Sequence, residues 1–231
     1  MNIPSVLNLK AWRMGLKIYE FEYQEGIIYF RITTFAFLQM ELKEKQRKIL
    51  DVAVELFKEK GYMGSSVRDL ATKLNIKAAS LYAHIRSKEE ILEWVCFGIA
   101  QEFFDELQEV KNTDIAPREK LNLLLDKHLS VVLKNRDVTH IYSIEWRHLE
   151  ERLSEFVELR KSYQQEVEKL ISEIYQAENW ELKSPSFTTR FILHTLNNSY
   201  FWFKRSSDST DEITDEIRDK ILYGLLGNEK Q

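Results

Sequence analysis

The sequence predicts an all-α fold, and three of its features do so. Only seven glycines and three prolines punctuate 231 residues, which leaves little turn chemistry for a sheet protein. Leu, Glu, Lys and Ala, which lose little side-chain freedom in a helix, recur at helical spacing. A hydrophobic fraction of 44% is enough to bury a core without staples. The single cysteine, Cys96, rules out an intrachain disulfide and fits a reducing compartment. Charges interrupt every apolar stretch well short of a membrane span, and no signal-like segment opens the chain. A soluble, cytoplasmic protein with no membrane partner is therefore expected.

Three segments follow in order. Residues 1–39 differ from the rest: 18–23 alternates apolar and charged residues, Glu25-Gly26 is a turn signal, and 27–35 is rich in β-branched and aromatic types. The local pattern is a strand hairpin, which is marginal alone in water. Met40 stands directly before the first strong helix, so 1–39 is expected to be an upstream extension from a start assigned too early, or else an accessory hairpin.

Segment 40–90 carries three short helices. Ile49, Val52, Ala53, Leu56 and Phe57 share one face of the first, and Gly61 is placed to cap its end. Ser66, with Asp69 three residues on, opens the second, whose stripe Val67, Leu70, Ala71, Leu74 ends at Asn75. A third runs from Ala78 to His84. Ser87-Lys88-Glu89-Glu90 then reads as a capping box for a long helix carrying Ile91, Val95, Ile99, Phe103 and Leu107.

Segment 91–231 continues past a linker at 111–117 into helices expected at 117–134, 137–148, 151–178, 185–205 and 210–226, each with a cap or breaker at one end. The whole is a three-helix head at about 43–88 and a six-helix body.

Charge is unevenly spread. The chain carries −4 overall, yet 60–88 holds six cations, Lys60, Arg68, Lys73, Lys77, Arg86 and Lys88, against Asp69 alone. A basic island in an acidic chain is a footprint for phosphate, or else a solvated helix face. Two short helices, a tight turn and a second helix showing Lys77, Ala78, Ala79 and Ser80 meet the needs of a helix-turn-helix that enters the major groove. Leu81 and Ile85 point inward; Tyr82 and His84 lie off that line, where they could donate to phosphate or, alternatively, finish the small core.

The run 45–93, with ILDVAVELFKEKGY, SVRDLATKLNI and ASLYAHIRSKEEIL, resembles the DNA-binding domain of the tetracycline-repressor (TetR) family. Ala83 departs from the aromatic common there. The resemblance implies a repressor that binds a near-palindromic double-stranded DNA operator as a homodimer. It also implies that Arg68, Lys77, Ala78 and Ser80 approach base edges while Ser66, Tyr82, His84 and Lys88 grip phosphates. Arg suits guanine O6 and N7, and a small Ala can meet a thymine methyl. In this family the last two long helices usually pair between subunits; Ile213, Ile217, Ile221 and Leu225, every fourth residue, are the seam expected here.

No HExxH, Cys/His cluster, GxSxG elbow, P-loop or GxGxxG occurs, so neither an enzyme nor a metal or cofactor site is expected. The rival reading is a helical adaptor or enzyme whose basic helices hold an acidic partner or substrate. Over 146–174 a cationic set interleaves with apolar residues, and 196–203, LNNSYFWF, resembles a run in TetR-family regulators of fatty-acid degradation. That likeness implies a small-molecule effector of the acyl-CoA class, touching Trp146, Arg147, Arg152, Phe156, Arg160, Tyr163, Asn197 and Trp202. The alternative is that these cations pair with nearby glutamates and the Asn-to-Trp run only packs.

Overall fold

In a computed structural model of the chain the described residues are 20–24, 27–31, 42–204 and 210–226, with side chains described over 42–201 and at 212, 214–224. Two compact units result, Met1–Lys43 and Glu44–Gln231. The first contains an antiparallel hairpin, β1 (Glu20–Gln24) against β2 (Ile27–Arg31), with Gln24 opposite Ile27. This is the pairing that alternation and the Glu25-Gly26 turn predict.

From Glu44 onward every described element is helical. The head comprises α1 (Glu44–Lys60), α2 (Val67–Lys73) and α3 (Ala78–Leu81). The body follows as α4 (Lys88–Asn112), α5 (Pro117–Lys134), α6 (Arg136–Ile144), α7 (Leu153–Ala177), α8 (Pro185–Asn198) and α9 (Thr210–Leu226). Two of the expected helices are broken. The 137–148 segment tightens into a 3-10 turn at Glu145–His148, and 185–205 does so at Ser199–Lys204. At the second break the Ser199 hydroxyl donates back to Leu196 O at 2.7 Å, a bond that competes with a regular turn. Among the described residues no helix is long and apolar enough to cross a membrane.

Local capping follows the sequence. Gly61 adopts φ +73°, a left-handed conformation that a β-carbon would strain, and its N–H reaches Phe57 O at 2.8 Å to end α1. Ser66 and Asp69 form a reciprocal capping box on α2. At α4 the box is half made: the Ser87 hydroxyl accepts from Glu90 N, but the Glu90 carboxylate turns to the Arg86 N–H and guanidinium.

The body core joins α4, α5, α7, α8 and α9 through Leu107, Leu125, Val167, Ile171, Ile192 and Leu196. Ile217 and Ile221 lie in that same core, at 5% and 2% exposure. That burial within one protomer leaves them little surface for the seam between subunits expected of them. An i, i+4 series gives a helix one apolar stripe, and its described part on α9, Ile217 and Ile221, packs within its own protomer, where Arg218 also pairs with Asp126 of α5 at 2.8 Å. The side chains of Ile213 and Leu225 lie outside the described residues. On α8 and α9 the described large apolar side chains left outward are Phe187 (65% exposed) and Phe191 (49%), one turn apart, and Tyr223 (73%).

One buried polar trio ties three helices. His128 of α5 lies between the Tyr163 hydroxyl, 3.0 Å from Nδ1, and Asn197 Oδ1, 3.0 Å from Nε2, with Phe103 stacked at 4.3 Å. An amide oxygen only accepts, so Nε2 carries the proton and the tyrosine donates to Nδ1. Burial pulls this imidazole from an ordinary 6.5 down to about 4, so it is neutral when folded and gains a proton on unfolding below pH 6.5. Its contribution is fully present above pH 6.5 and is lost as pH falls through 4, roughly 3 kcal/mol at about 1.4 kcal/mol per pH unit. Urea unfolding between pH 7.5 and 4 should show His128→Gln less stable at pH 7.5 yet with a flatter fall than the wild type; parallel curves would contradict the assignment.

Candidate nucleic-acid interface and effector site

The two helices of the motif meet across a turn set by sequence. Asn75, at φ +54°, ends α2, and the Ile76 N–H reaches back to Ala71 O at 3.0 Å. Asn tolerates that left-handed conformation better than other residues with a side chain. Leu81 (0% exposed) and Ile85 (3%) then anchor the following segment. Lys77, Ser80 and Ala83 are exposed and Ala78 is half-buried. Regular α-helix is limited to Ala78–Leu81, shorter than the expected 78–84; the chain continues as turns, with the His84 N–H on Leu81 O.

The residues expected to meet DNA divide by what holds them. Arg68 is exposed on α2, and Tyr82 is 55% exposed, so the phenol does not finish the core. His84 is half-buried, and its carbonyl accepts from Gln46 Nε2 at 3.3 Å. Ser66 spends its hydroxyl on the α2 cap, where Ser66 and Lys60 hold the Asp69 carboxyl down at about 2.

Lys88 departs from the expected phosphate grip. Its ammonium donates to Tyr62 O at 2.7 Å and Ser65 O at 2.8 Å and stands 4.0 Å from the Tyr62 ring centroid. Two of its three donors thus close the α1–α2 turn onto the start of α4. Desolvation pulls the Lys88 ammonium below its ordinary range. The basic island is also weaker than its count suggests, because Lys60 pairs with Asp69, Lys73 with Glu59 and Arg86 with Glu90. Glu59 and Glu90 sit on flanking helices, where the 60–88 window does not count them.

The same turn is keyed to the body. The Tyr62 N–H donates to Glu145 Oε1 at 3.0 Å, the Tyr62 ring stacks on His148 at 5.5 Å, and Glu89 accepts the N–H groups of Glu150 and Glu151. Sequence reasoning missed Glu145, His148 and Glu89. Their roles depend on a 3-10 turn whose neighbouring residues face different ways, which helical periodicity does not encode.

Between Glu145 and His148 lies Trp146, which faces the other way, its ring 6.3 Å from Phe156 and 4.9 Å from the Arg160 guanidinium. Phe156 is fully buried among Phe97, Tyr142 and Trp146. Arg160 also stands 5.2 Å from the Tyr142 ring, and its Nη1 is buried with no hydrogen-bond partner among the described residues. Arg152 is instead held by both oxygens of Glu155 and by Glu93, as the ion-pair alternative anticipates. Arg147 is exposed beside Trp146, Tyr163 and Asn197 hold His128, and the Trp202 side chain lies outside the described residues. The expected effector residues therefore form two clusters, Trp146–Phe156–Arg160 and Tyr163–Asn197. No group of metal-binding side chains occurs among the described residues.

Family comparison matches 49–95 to bacterial regulatory proteins of the tetR family and 114–225 to a tetracyclin repressor-like C-terminal domain. The repressor KstR2 of Rhodococcus jostii is 28% identical over 52% of this chain, but the match spans only 60% of that protein. KstR2 of Mycolicibacterium smegmatis is 28% identical over 78% of this chain and 90% of its own. The fatty acid metabolism regulator of Bacillus subtilis is 25% identical over 58% and 70% respectively. Among solved structures, AibR in complex with isovaleryl coenzyme A and operator DNA superimposes with a TM-score of 0.68 at 25% identity, over 79% of this chain and 98% of AibR.

Lys88→Ala is expected to cost about 1–3 kcal/mol of thermal stability, since it strands two carbonyls, while the salt slope of DNA binding stays unchanged. Lys77→Ala should lower that slope by about 1. A slope reduced in the Lys88 variant would return it to the phosphate-binding set.

Proposed function

The chain belongs to the TetR family and is a DNA-binding transcriptional repressor with a small-molecule effector, not an enzyme; we propose that its effector is an acyl-CoA thioester and that it acts as a cytoplasmic homodimer. Arg68, Lys77, Ala78 and Ser80 read base edges, while Tyr82 and His84 hold phosphates. Ser66 and Lys88 keep α2 and the α1–α2 turn in position for them. Dimerisation runs through α8 and α9, with Phe187, Phe191 and Tyr223 as the apolar contacts, in place of Ile217 and Ile221. Exposed rings of this size are a cost for a lone protomer and a gain when covered.

The observation that carries the effector reading is Arg160. The half-buried Arg160 lies over the Tyr142 and Trp146 rings with its Nη1 buried and unpartnered among the described residues, which supplies apolar surface and a hydrogen bond for an acceptor oxygen. An acyl thioester brings both an apolar chain and a carbonyl oxygen. The acyl-CoA bound to the AibR structure supports the same class.

Effector occupancy at Trp146 acts on the head through the adjoining Glu145 and His148, which hold Tyr62. The ligand must favour the DNA-incompetent arrangement, and it lowers operator affinity by the factor by which operator lowers its own. Titration of the protein–operator complex with acyl-CoAs of several chain lengths is expected to release DNA, with free acids ineffective; no release by any thioester at concentrations above cellular ones removes this class. Arg68→Ala should cost about 1–3 kcal/mol on the operator and little on random DNA, and equal losses on both would make Arg68 a backbone clamp.

A further inference from the structure

An unmet acceptor and an unmet donor occupy matching positions on α4 and α7. These helices pass in register: Phe97 meets Phe156 edge-on at 5.2 Å, and Phe104 meets Tyr163 edge-on at 5.2 Å. Gln101 falls between the two phenylalanines of α4, four residues after one and three before the other, and Arg160 falls likewise between Phe156 and Tyr163 of α7. Residues three and four apart share a helix face, so both side chains rise from the faces that carry these rings.

The Gln101 amide is oriented by its neighbour. Asp105 accepts from Gln101 Nε2, and because an ionised carboxylate cannot donate, Oε1 is the atom left over. Gln101 Oε1, Arg160 Nη1 and Ser143 Oγ are each buried with no hydrogen-bond partner among the described residues, so Gln101 and Arg160 do not satisfy each other. Ser143 stands in sequence between Tyr142 and Trp146, the two rings beside the Arg160 guanidinium. Buried polar atoms cost stability until they are paired. A group that presents an acceptor to Arg160 and a donor to Gln101 removes both costs at once. A thioester has only the acceptor. A secondary amide adds the N–H, and the thiol arm of coenzyme A carries one close to its sulfur.

We propose that Gln101 and Arg160 read the thioester–amide segment of the effector: Arg160 donates to the thioester carbonyl oxygen, and Gln101 Oε1 accepts from the N–H of the adjoining amide. This rests on the acyl-CoA reading above and deepens it. Recognition of the class then lies in the thiol arm that all such thioesters share, and the acyl chain is left to the rings of Tyr142, Trp146 and Phe156.

Calorimetric titration of the full-length protein with butyryl, octanoyl and palmitoyl thioesters of N-acetylcysteamine tests the site. This small thiol keeps the thioester and secondary amide of CoA and drops the nucleotide; its N-methyl derivative is the matched probe without the N–H. For the acyl chain that binds best, the wild type is expected to favour the N–H form over the N-methyl form by about tenfold or more. Gln101→Met, checked for an unchanged melting profile, should bring that ratio to about 1. Met has nearly the bulk of Gln, so a ratio set by crowding alone would persist. Equal affinity of the wild type for the two forms, or a ratio unaltered in Gln101→Met, overturns the proposal. Binding of acyl-CoA without binding of either small thioester at millimolar concentration also overturns it, while leaving the effector reading standing. If acyl-CoA itself neither binds nor releases operator, the effector reading fails and this proposal falls with it.

Discussion

The head is held by the seating of one residue, Tyr62. It closes the turn between α1 and α2, and four groups fix it: the Lys88 ammonium on its carbonyl and ring, Glu145 on its N–H, His148 on its ring face, and Phe57 edge-on at 5.3 Å. Burial, reinforced by Glu89 and Glu150, pushes its phenol up to about 12. Hydrogen bonds to charged partners contribute about 1.5–3 kcal/mol each when formed and cost as much when one partner is removed. The close approach within the turn requires glycine at position 64, where a β-carbon would lie 2.3 Å from Lys60 O.

Local features were legible in the sequence because their physics is local. Gly61, Ser66 with Asp69, and Asn75 each solve a backbone problem within four residues, and the structure uses all three as read. The starts of α5, at Pro117, and α8, at Ser184 and Pro185, follow from local residues in the same way. Periodicity also separated Leu81 and Ile85 from Tyr82 correctly.

What the sequence concealed was the use made of side chains by distant neighbours. Lys88 looked like a surface cation because its partners are two backbone carbonyls more than twenty residues away. Arg152 and Arg160 sit eight residues apart with the same chemistry and both lie over rings, yet Arg152 is also held by Glu155 and Glu93. The stripe on α9 announced burial but not against which chain, and α5 of the same protomer takes it. Asn197 belongs to a run suggestive of ligand contact, but its carbonyl oxygen is committed to His128.

In the proposed reading, the 3-10 turn at Glu145–His148 is the link between effector and DNA. Trp146 turns to the aromatic cluster while Glu145 and His148 turn to Tyr62, so two surfaces share one rigid turn. Coupling between sites is a free energy measurable from four affinities. The decisive measurement is that coupling factor, operator affinity with and without saturating effector, in the wild type and in Glu145→Ala. If the link runs through Tyr62, the factor collapses toward 1 in the variant while effector affinity in the absence of DNA is retained. A variant that releases operator by the same factor as the wild type would contradict the account.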